Sequence, residues 1–186
     1  MKVQLLPSYR NTVHKQWKKL QTIEKLYSEE KWLESMSVAN EMLDSMNGDF
    51  FGFYYRGLCN LKLKFFDEAI ADFQKAKTNA EKNKFPILMK EYKYDISLRI
   101  ATIHRMQRNY EIALQLVNST IKSFPNYSRS YILKANIYLD LELTIEELDS
   151  INCGLNVEPT NTELLEFKNY LVYIYSSEQN EKRTSG

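Results

Sequence analysis

The sequence is poor in the residues that interrupt helices. Its 186 residues include five glycines and four prolines. Glycine and proline are the strongest local punctuation of a chain. Their scarcity favours long helices and argues against many short strands. Cysteine is scarcer still, with Cys59 and Cys153 only. Their spacing matches no paired metal motif and offers no disulfide framework. Both are expected to be small apolar residues buried in a protein of a reducing compartment. No apolar run reaches the roughly 20 residues that span a bilayer. The opening MKVQLLPSYR has too short an apolar stretch for a secretory signal. Net charge is +1, so the chain lacks the overall basic field that nucleic-acid binding leaves on a sequence. A cytoplasmic location is expected. The alternative is mitochondrial, because residues 1–23 contain no Asp or Glu but include Lys2, Arg10, Lys15, Lys18 and Lys19. A single arginine there departs from presequence composition.

The length is enough for one domain with a proper core, and a 44% apolar, 26% charged composition is ordinary for a globular protein. The stretch FFDEAIADFQKA, residues 65–76, puts Phe66, Ala69, Ile70, Phe73 and Ala76 on one helical face. Two of these face residues are alanine, little side chain for a face that must be buried. A similar pattern returns as RNYEIALQLVNST, residues 108–120.

Sliding the chain against itself explains the return. Trp32 to Phe66, Ser35 to Ala69 and Ala39 to Phe73 are each 34 residues apart, as are Val117 to Ile151 and Pro125 to Pro159. Between the two sets the offset is 44, from Phe66 to Tyr110 and Ala69 to Ala113. The frame is four units, 16–49, 50–83, 94–127 and 128–161, with Lys84–Lys93 inserted after the second. Each unit predicts two helices: 13–28 and 31–46, 50–63 and 67–83, 87–107 and 110–124, 128–141 and 145–157. Pro86 suits a helix start. A ninth helix is predicted over 161–176, capped by Asn161 or Thr162. An N-terminal segment, 1–15, precedes the repeats. The tail 177–186 is polar and expected to be disordered.

This frame resembles the tetratricopeptide repeat (TPR) family, whose period is 34. The family places small residues at positions 8, 20 and 27. Here position 8 is Ile23, Gly57, Ala101 and Ala135; position 20 is Ser35, Ala69, Ala113 and Glu147; position 27 is Met42, Ala76, Thr120 and Gly154. Nine of these twelve are Gly, Ala, Ser or Thr. An aromatic at position 17 appears as Trp32, Phe66 and Tyr110 but not at Thr144. Bulk at position 24 appears as Phe73, Val117 and Ile151, against Ala39 in the first unit. The resemblance covers about residues 16–175. It implies an all-α fold, a right-handed α-solenoid of about four TPR-like helix hairpins plus a C-terminal capping helix. The alanines of the opening stretch are then small because neighbouring helices cross close to them.

Sites for chemistry are scarce. His14 and His104 are far apart, and His104 falls at a packing position of the third unit. No Cys/His cluster, zinc-binding helix motif, calcium loop or Gly-rich phosphate cradle appears. Acids at Glu29, Glu30 and Glu146–Asp149 read as helix-start stabilisation. NST and NYS match glycosylation acceptors by chance. No catalytic residue, metal or cofactor is expected.

The family resemblance implies that positions 2, 5, 9 and 12 of each first helix line a concave groove. These are Trp17, Leu20, Glu24 and Tyr27; Phe51, Tyr54, Leu58 and Leu61; Asp95, Leu98, Thr102 and Arg105; Arg129, Ile132, Asn136 and Leu139. The expected contact set is Tyr54, Leu58, Leu61, Leu98, Arg105, Arg129, Ile132 and Asn136. Apolar, aromatic and Arg side chains of this kind make binding hot spots and suit an amphipathic helix or extended segment. Arg105 and Arg129 are expected to pair with acids of the partner. Chaperone-binding members of the family grip a C-terminal carboxylate with Lys, Asn and Arg. This chain offers Leu20, Glu24, Tyr55, Asp95 and Arg99, or Tyr54, Leu58, Arg99, Arg129 and Leu133. Those residues do not supply the donors a desolvated carboxylate needs. The expected function is therefore a non-enzymatic protein-interaction adaptor or scaffold, free or within a larger assembly, and not a carboxylate-clamp co-chaperone. A structural subunit using its convex face and an RNA-binding helical repeat are the alternatives; the apolar groove and near-neutral charge count against RNA.

Overall fold

The computed structural model describes residues 7–45, 50–82 and 86–184, with side chains at 15–45, 50–81 and 91–174. The described residues form helices α1 (Pro7–Ser28), α2 (Trp32–Ser45), α3 (Phe50–Lys62), α4 (Phe66–Lys82), α5 (Pro86–Met106), α6 (Tyr110–Ser123), α7 (Ser128–Asp140), α8 (Thr144–Val157) and α9 (Thr162–Thr184), with no strand. The fold is all-α, built of helix hairpins. Most predicted boundaries agree within one or two residues; α1 instead begins at Pro7, six residues before its predicted start and inside the expected N-terminal segment. Residues 1–6, 46–49 and 83–85, on which parts of the expected N-terminal segment, second helix and insertion fall, lie outside the described residues.

The four hairpin turns are identical in construction. Glu30, Lys64, Arg108 and Glu142 each take a left-handed φ, at 60°, 64°, 61° and 58°. The following N–H then reaches back to close the helix end: Lys31 to the Leu26 carbonyl at 2.9 Å, Phe65 to Asn60 at 2.8 Å, Asn109 to His104 at 2.8 Å, and Leu143 to Tyr138 at 2.9 Å. This six-to-one bond is the Schellman helix end. All four sit at position 15 of their units, so backbone geometry alone repeats the frame read from the side chains.

The chain divides into two compact halves, Met1–Ile96 and Ser97–Gly186. The division falls inside α5, just past the inserted residues. Of that insertion, Pro86–Lys93 form the first turns of α5.

Within both halves the two helices of each hairpin meet through a volume exchange at positions 8 and 24. Gly57 packs under Phe73, where an added Cβ would come within 2.9 Å of the ring. Ala101 shares a core with Val117, and Ala135 with Ile151. In the first hairpin the sizes are reversed: Ile23 and Ala39, both fully buried, share a core with Met42. The alanines Ala69, Ala76 and Ala113 are completely covered, as close helix crossing requires. Gly154 is pinned between two helices: a Cβ there would lie 2.7 Å from the Leu164 side chain and 3.0 Å from Tyr131 Cβ.

Three features differ from expectation. Cys59 is buried but Cys153 is exposed. Gly154 takes the inward position on α8, and its chain neighbour is turned about 100° away. Glu147 occupies the small-residue row and is only 2% exposed, with Oε1 lacking a hydrogen-bond partner. Finally, α9 continues to Thr184, through most of the tail expected to be disordered. Glu, Gln, Lys and Arg there are good helix formers, and no glycine or proline intervenes before Gly186. At the start of α9 the Leu164 N–H donates to Asn161 Oδ1 at 3.0 Å, so Asn161 is the cap.

Candidate functional site

The rows expected to line a groove separate into packing and surface. Position 5 is buried in every unit, as Leu20, Tyr54, Leu98 and Ile132. The reason is local. Tyr54 on α3 is covered by the start of α5, where its ring lies 5.2 Å from that of Tyr92 and its hydroxyl donates to Asp95 Oδ2 at 2.7 Å. Leu98 packs with Leu133 and Ile137 of α7, and Ile132 with Leu164 and Leu171 of α9. In these three units the first helix uses position 5 to hold the helix that follows the hairpin. Leu58, at position 9, is buried as well. Four members of the expected contact set, Tyr54, Leu58, Leu98 and Ile132, therefore serve packing in the free chain.

Outside position 5 most of these residues stay accessible, Leu58 and Asp95 being the buried exceptions. Position 12 holds Tyr27, Leu61 and Arg105, half-buried, and Leu139, which is 40% exposed. Arg129 is exposed and Asn136 half-buried, with its amide donating to the Ile132 carbonyl at 3.0 Å. Arg105, expected to pair with a partner's acid, already holds Asp140 through two bonds, Nε to Oδ2 at 2.6 Å and Nη2 to Oδ1 at 3.0 Å. That pair borders an open cleft of about 510 Å³ lined by Arg105, Met106, Arg108, Tyr110, Asp140 and Glu142.

In the first half, an aromatic cluster joins α1 to α5. Tyr27 meets Trp32 edge-on at 4.8 Å, and Phe50 meets Tyr92 at 5.0 Å. Tyr92 comes from the insertion, which therefore contributes packing as well as helix length. The Tyr55 hydroxyl donates to Glu24 Oε1 at 3.0 Å. Burial first, and the Glu24 carboxylate second, push the Tyr55 phenol up in pKa. Glu24 and Asp95 thus each already accept a tyrosine hydroxyl.

One polar network was not foreseen. Arg56 forks onto the buried Asp72, with Nε to Oδ2 at 2.8 Å and Nη2 to Oδ1 at 2.7 Å. Asn60 Nδ2 adds a third donor at 3.1 Å, and Arg56 Nη1 also reaches Asn40 Oδ1 at 2.8 Å. The network ties α2, α3 and α4 together. The Asp72 bond raises the already high Arg56 pKa.

Among the described residues, no group of His, Cys, Asp and Glu could hold a metal, and no helix is long and apolar enough to cross a membrane.

No protein-family model and no curated protein matches the sequence. Solved structures do. A chain of the APC/C hetero-tetramer Cut9–Hcn1 aligns with a TM-score of 0.68 at 14% identity, over 82% of this chain and 29% of that one. MamA 41-end from Desulfovibrio magneticus RS-1 aligns at 0.61 and 13% identity, over 89% of this chain and 90% of that one. The first TPR of Spaghetti (RPAP3), bound to the HSP90 peptide SRMEEVD, aligns at 0.52 and 16% identity, over 68% and 93%. The chain thus spans less than a third of the Cut9–Hcn1 chain it matches. At these identities the likeness establishes the fold.

Proposed function

We propose that this chain, whose fold is that of the tetratricopeptide-repeat proteins, works without catalysis as an adaptor or scaffold subunit that holds a segment of another protein. Two of the similar structures carry partners, Cut9 with Hcn1 and RPAP3 with a peptide. The observation that carries the reading is the division of the first-helix rows. Position 5 is occupied by packing, while Arg129, Asn136 and Leu139 stay accessible along one face of α7. An apolar residue beside an arginine and an amide suits a partner segment with an apolar anchor and an acid. In the first half, Leu61 is the equivalent of Leu139. A carboxylate clamp is not part of this proposal, because Glu24 and Asp95 occupy donor positions.

The test is affinity capture with the wild-type chain and with Arg129→Glu/Leu139→Ala, read by quantitative mass spectrometry. Both substituted residues are surface-exposed, so the double variant keeps its helical circular dichroism. Loss of the partners enriched by the wild type supports the reading. Equal recovery by both chains removes it.

A further inference from the structure

We infer that Glu147 of α8 is a proton-operated lock on the seam between α8 and α9: protonated it keeps α9 seated, and once it loses the proton α9 loosens.

The inference starts from repeat register. Position 20 of a second helix lies where three helices meet. Ser35, at that position on α2, donates to the Ile23 carbonyl of α1 at 3.3 Å and lies within bonding reach of the Cys59 thiol of α3. Ala113, at that position on α6, shares a core with Ala101 of α5 and Ile137 of α7. Both times the neighbours stand at position 8 of the same hairpin and position 10 of the next first helix. The same register sets Glu147 against Ala135 of α7 and Leu171 of α9, which share one buried core. A serine or an alanine suits such a junction. Glu147 is covered there as fully as they are, yet its Oε1 has no hydrogen-bond partner.

No charge offsets the carboxylate. The helices packed against α8 are α7 and α9. The half-buried titratable groups they bring are Tyr131, Lys134 and Tyr138 from α7 and Lys168 from α9. Tyr131 donates its hydroxyl to the Pro125 carbonyl at 3.0 Å, and the Lys134 ammonium lies over the Tyr138 ring. Neither lysine acts on Glu147, whose pKa is raised by burial alone. The acids beside it on α8, Glu146 and Asp149, are exposed. A carboxyl buried without a partner is less costly as the neutral acid. With α9 seated, Glu147 therefore keeps its proton to higher pH than it does in water. In that window the seated seam binds more protons than the opened one, so rising pH favours opening. Opening admits water to the carboxylate at the cost of the core that Leu164 and Leu171 of α9 share with Ile132 of α7. Ile132 lies between Arg129 and Asn136, so the proton also governs the cover over part of the α7 row. The lock does not depend on the function proposed for that row.

Amide hydrogen exchange of the full chain, read by mass spectrometry at pH 5, 6.5 and 8 and divided by intrinsic exchange rates, follows the seam. Protection of residues 164–174 is expected to fall at least about threefold from pH 5 to pH 8. At pH 8 it should lie at least about tenfold below that of residues 113–122 on α6, because α9 opens by itself. Glu147→Gln keeps the size and removes the charge, and Glu147→Ala restores the residue found at Ala113. Both variants should hold the protection of 164–174 constant across the range. Protection that does not change with pH in the wild type, or that falls as far in both variants, overturns the proposal. So does equal protection of the two segments at every pH, because α9 then opens only when its whole half unfolds.

Discussion

The hydroxyl of Tyr54 donates to Asp95 Oδ2 across 2.7 Å, with both residues buried. Each lies on a row that the family pattern assigns to an open groove. The bond instead secures the start of α5 against α3. Replacing Tyr54 by Phe keeps the ring and removes a hydrogen bond to a carboxylate, which costs about 1.5–3 kcal/mol. Tyr54→Ala also empties a packed site and costs more, about 3–5 kcal/mol. Urea unfolding of the two variants checks both figures. Equal stability of wild type and Tyr54→Phe would contradict the assignment.

Arg56 and Asp72 form the second buried device. Asp72→Ala leaves the guanidinium of Arg56, a side chain about a quarter exposed, without its two-pronged acceptor and should cost about 2–4 kcal/mol. Arg56→Lys is not a conservative replacement, because a point charge cannot fork onto both oxygens. In urea unfolding it is expected to recover less than half of the loss seen in Arg56→Ala.

Glu147 predicts a pH dependence. Burial raises its pKa above the usual carboxylate range, so the folded chain keeps this proton to higher pH than the unfolded chain does. The folded state then binds more protons in that window, and stability falls as pH rises through the folded-state value. The contribution is most favourable below the unfolded value. Glu147→Ala places in this row the residue found at Ala69 and Ala113 and should stabilise the chain near neutral pH by about 1–3 kcal/mol. The gain should shrink toward pH 4.5, the ordinary value. Thermal melts of wild type and variant across pH 4–8 read the difference; a gain that grows on acidification would sink the idea.

The left-handed turns offer an easy stabilisation. This backbone costs a non-glycine residue about 1–2 kcal/mol, of which glycine recovers part after its own entropic cost. Lys64→Gly and Glu142→Gly should each raise the stability measured by urea unfolding by roughly 0.5–1 kcal/mol. A glycine two residues earlier, Lys62→Gly, lies inside the helix end and should cost about 1 kcal/mol instead.

The volume exchange is testable in the first hairpin, where it runs backwards. Ile23→Ala alone should cost about 2–4 kcal/mol, and Ala39→Ile alone about 1–3 kcal/mol. The double variant recreates the Ala135–Ile151 pair. It should be more stable than the sum of the single losses by at least about 1 kcal/mol in a double-mutant cycle.

The helices were legible because apolar spacing and the 34-residue offset constrain each other, and the missing aromatic at Thr144 is outvoted by the other units. The exception at Ala39 was visible too, but its meaning depends on Ile23 across the hairpin, which no single-row comparison pairs with it. The groove was less legible. A family register says which face of a first helix turns inward; it does not say that the next helix along covers half of that face, as α5 does to Tyr54 and α9 to Ile132. Arg56 and Asp72 stand 16 residues apart in no recurring pattern, so only the packed structure joins them. Asp140 likewise carries no mark in the sequence that pairs it with Arg105.

Site-selective labelling tests the division of the first-helix rows most directly. Cys153, the exposed thiol, is first replaced by serine. One cysteine at a time is then added at 98, 132, 129 or 139, with the buried Cys59 retained, and maleimide reaction rates are measured on the native chain. Protection of the first two by packing predicts reaction at least about 100-fold slower than at 129 and 139, since buried thiols react only through local opening. Equal rates at all four positions would mean that position 5 lies open to solvent, and the separation into a packing row and a binding row would fail.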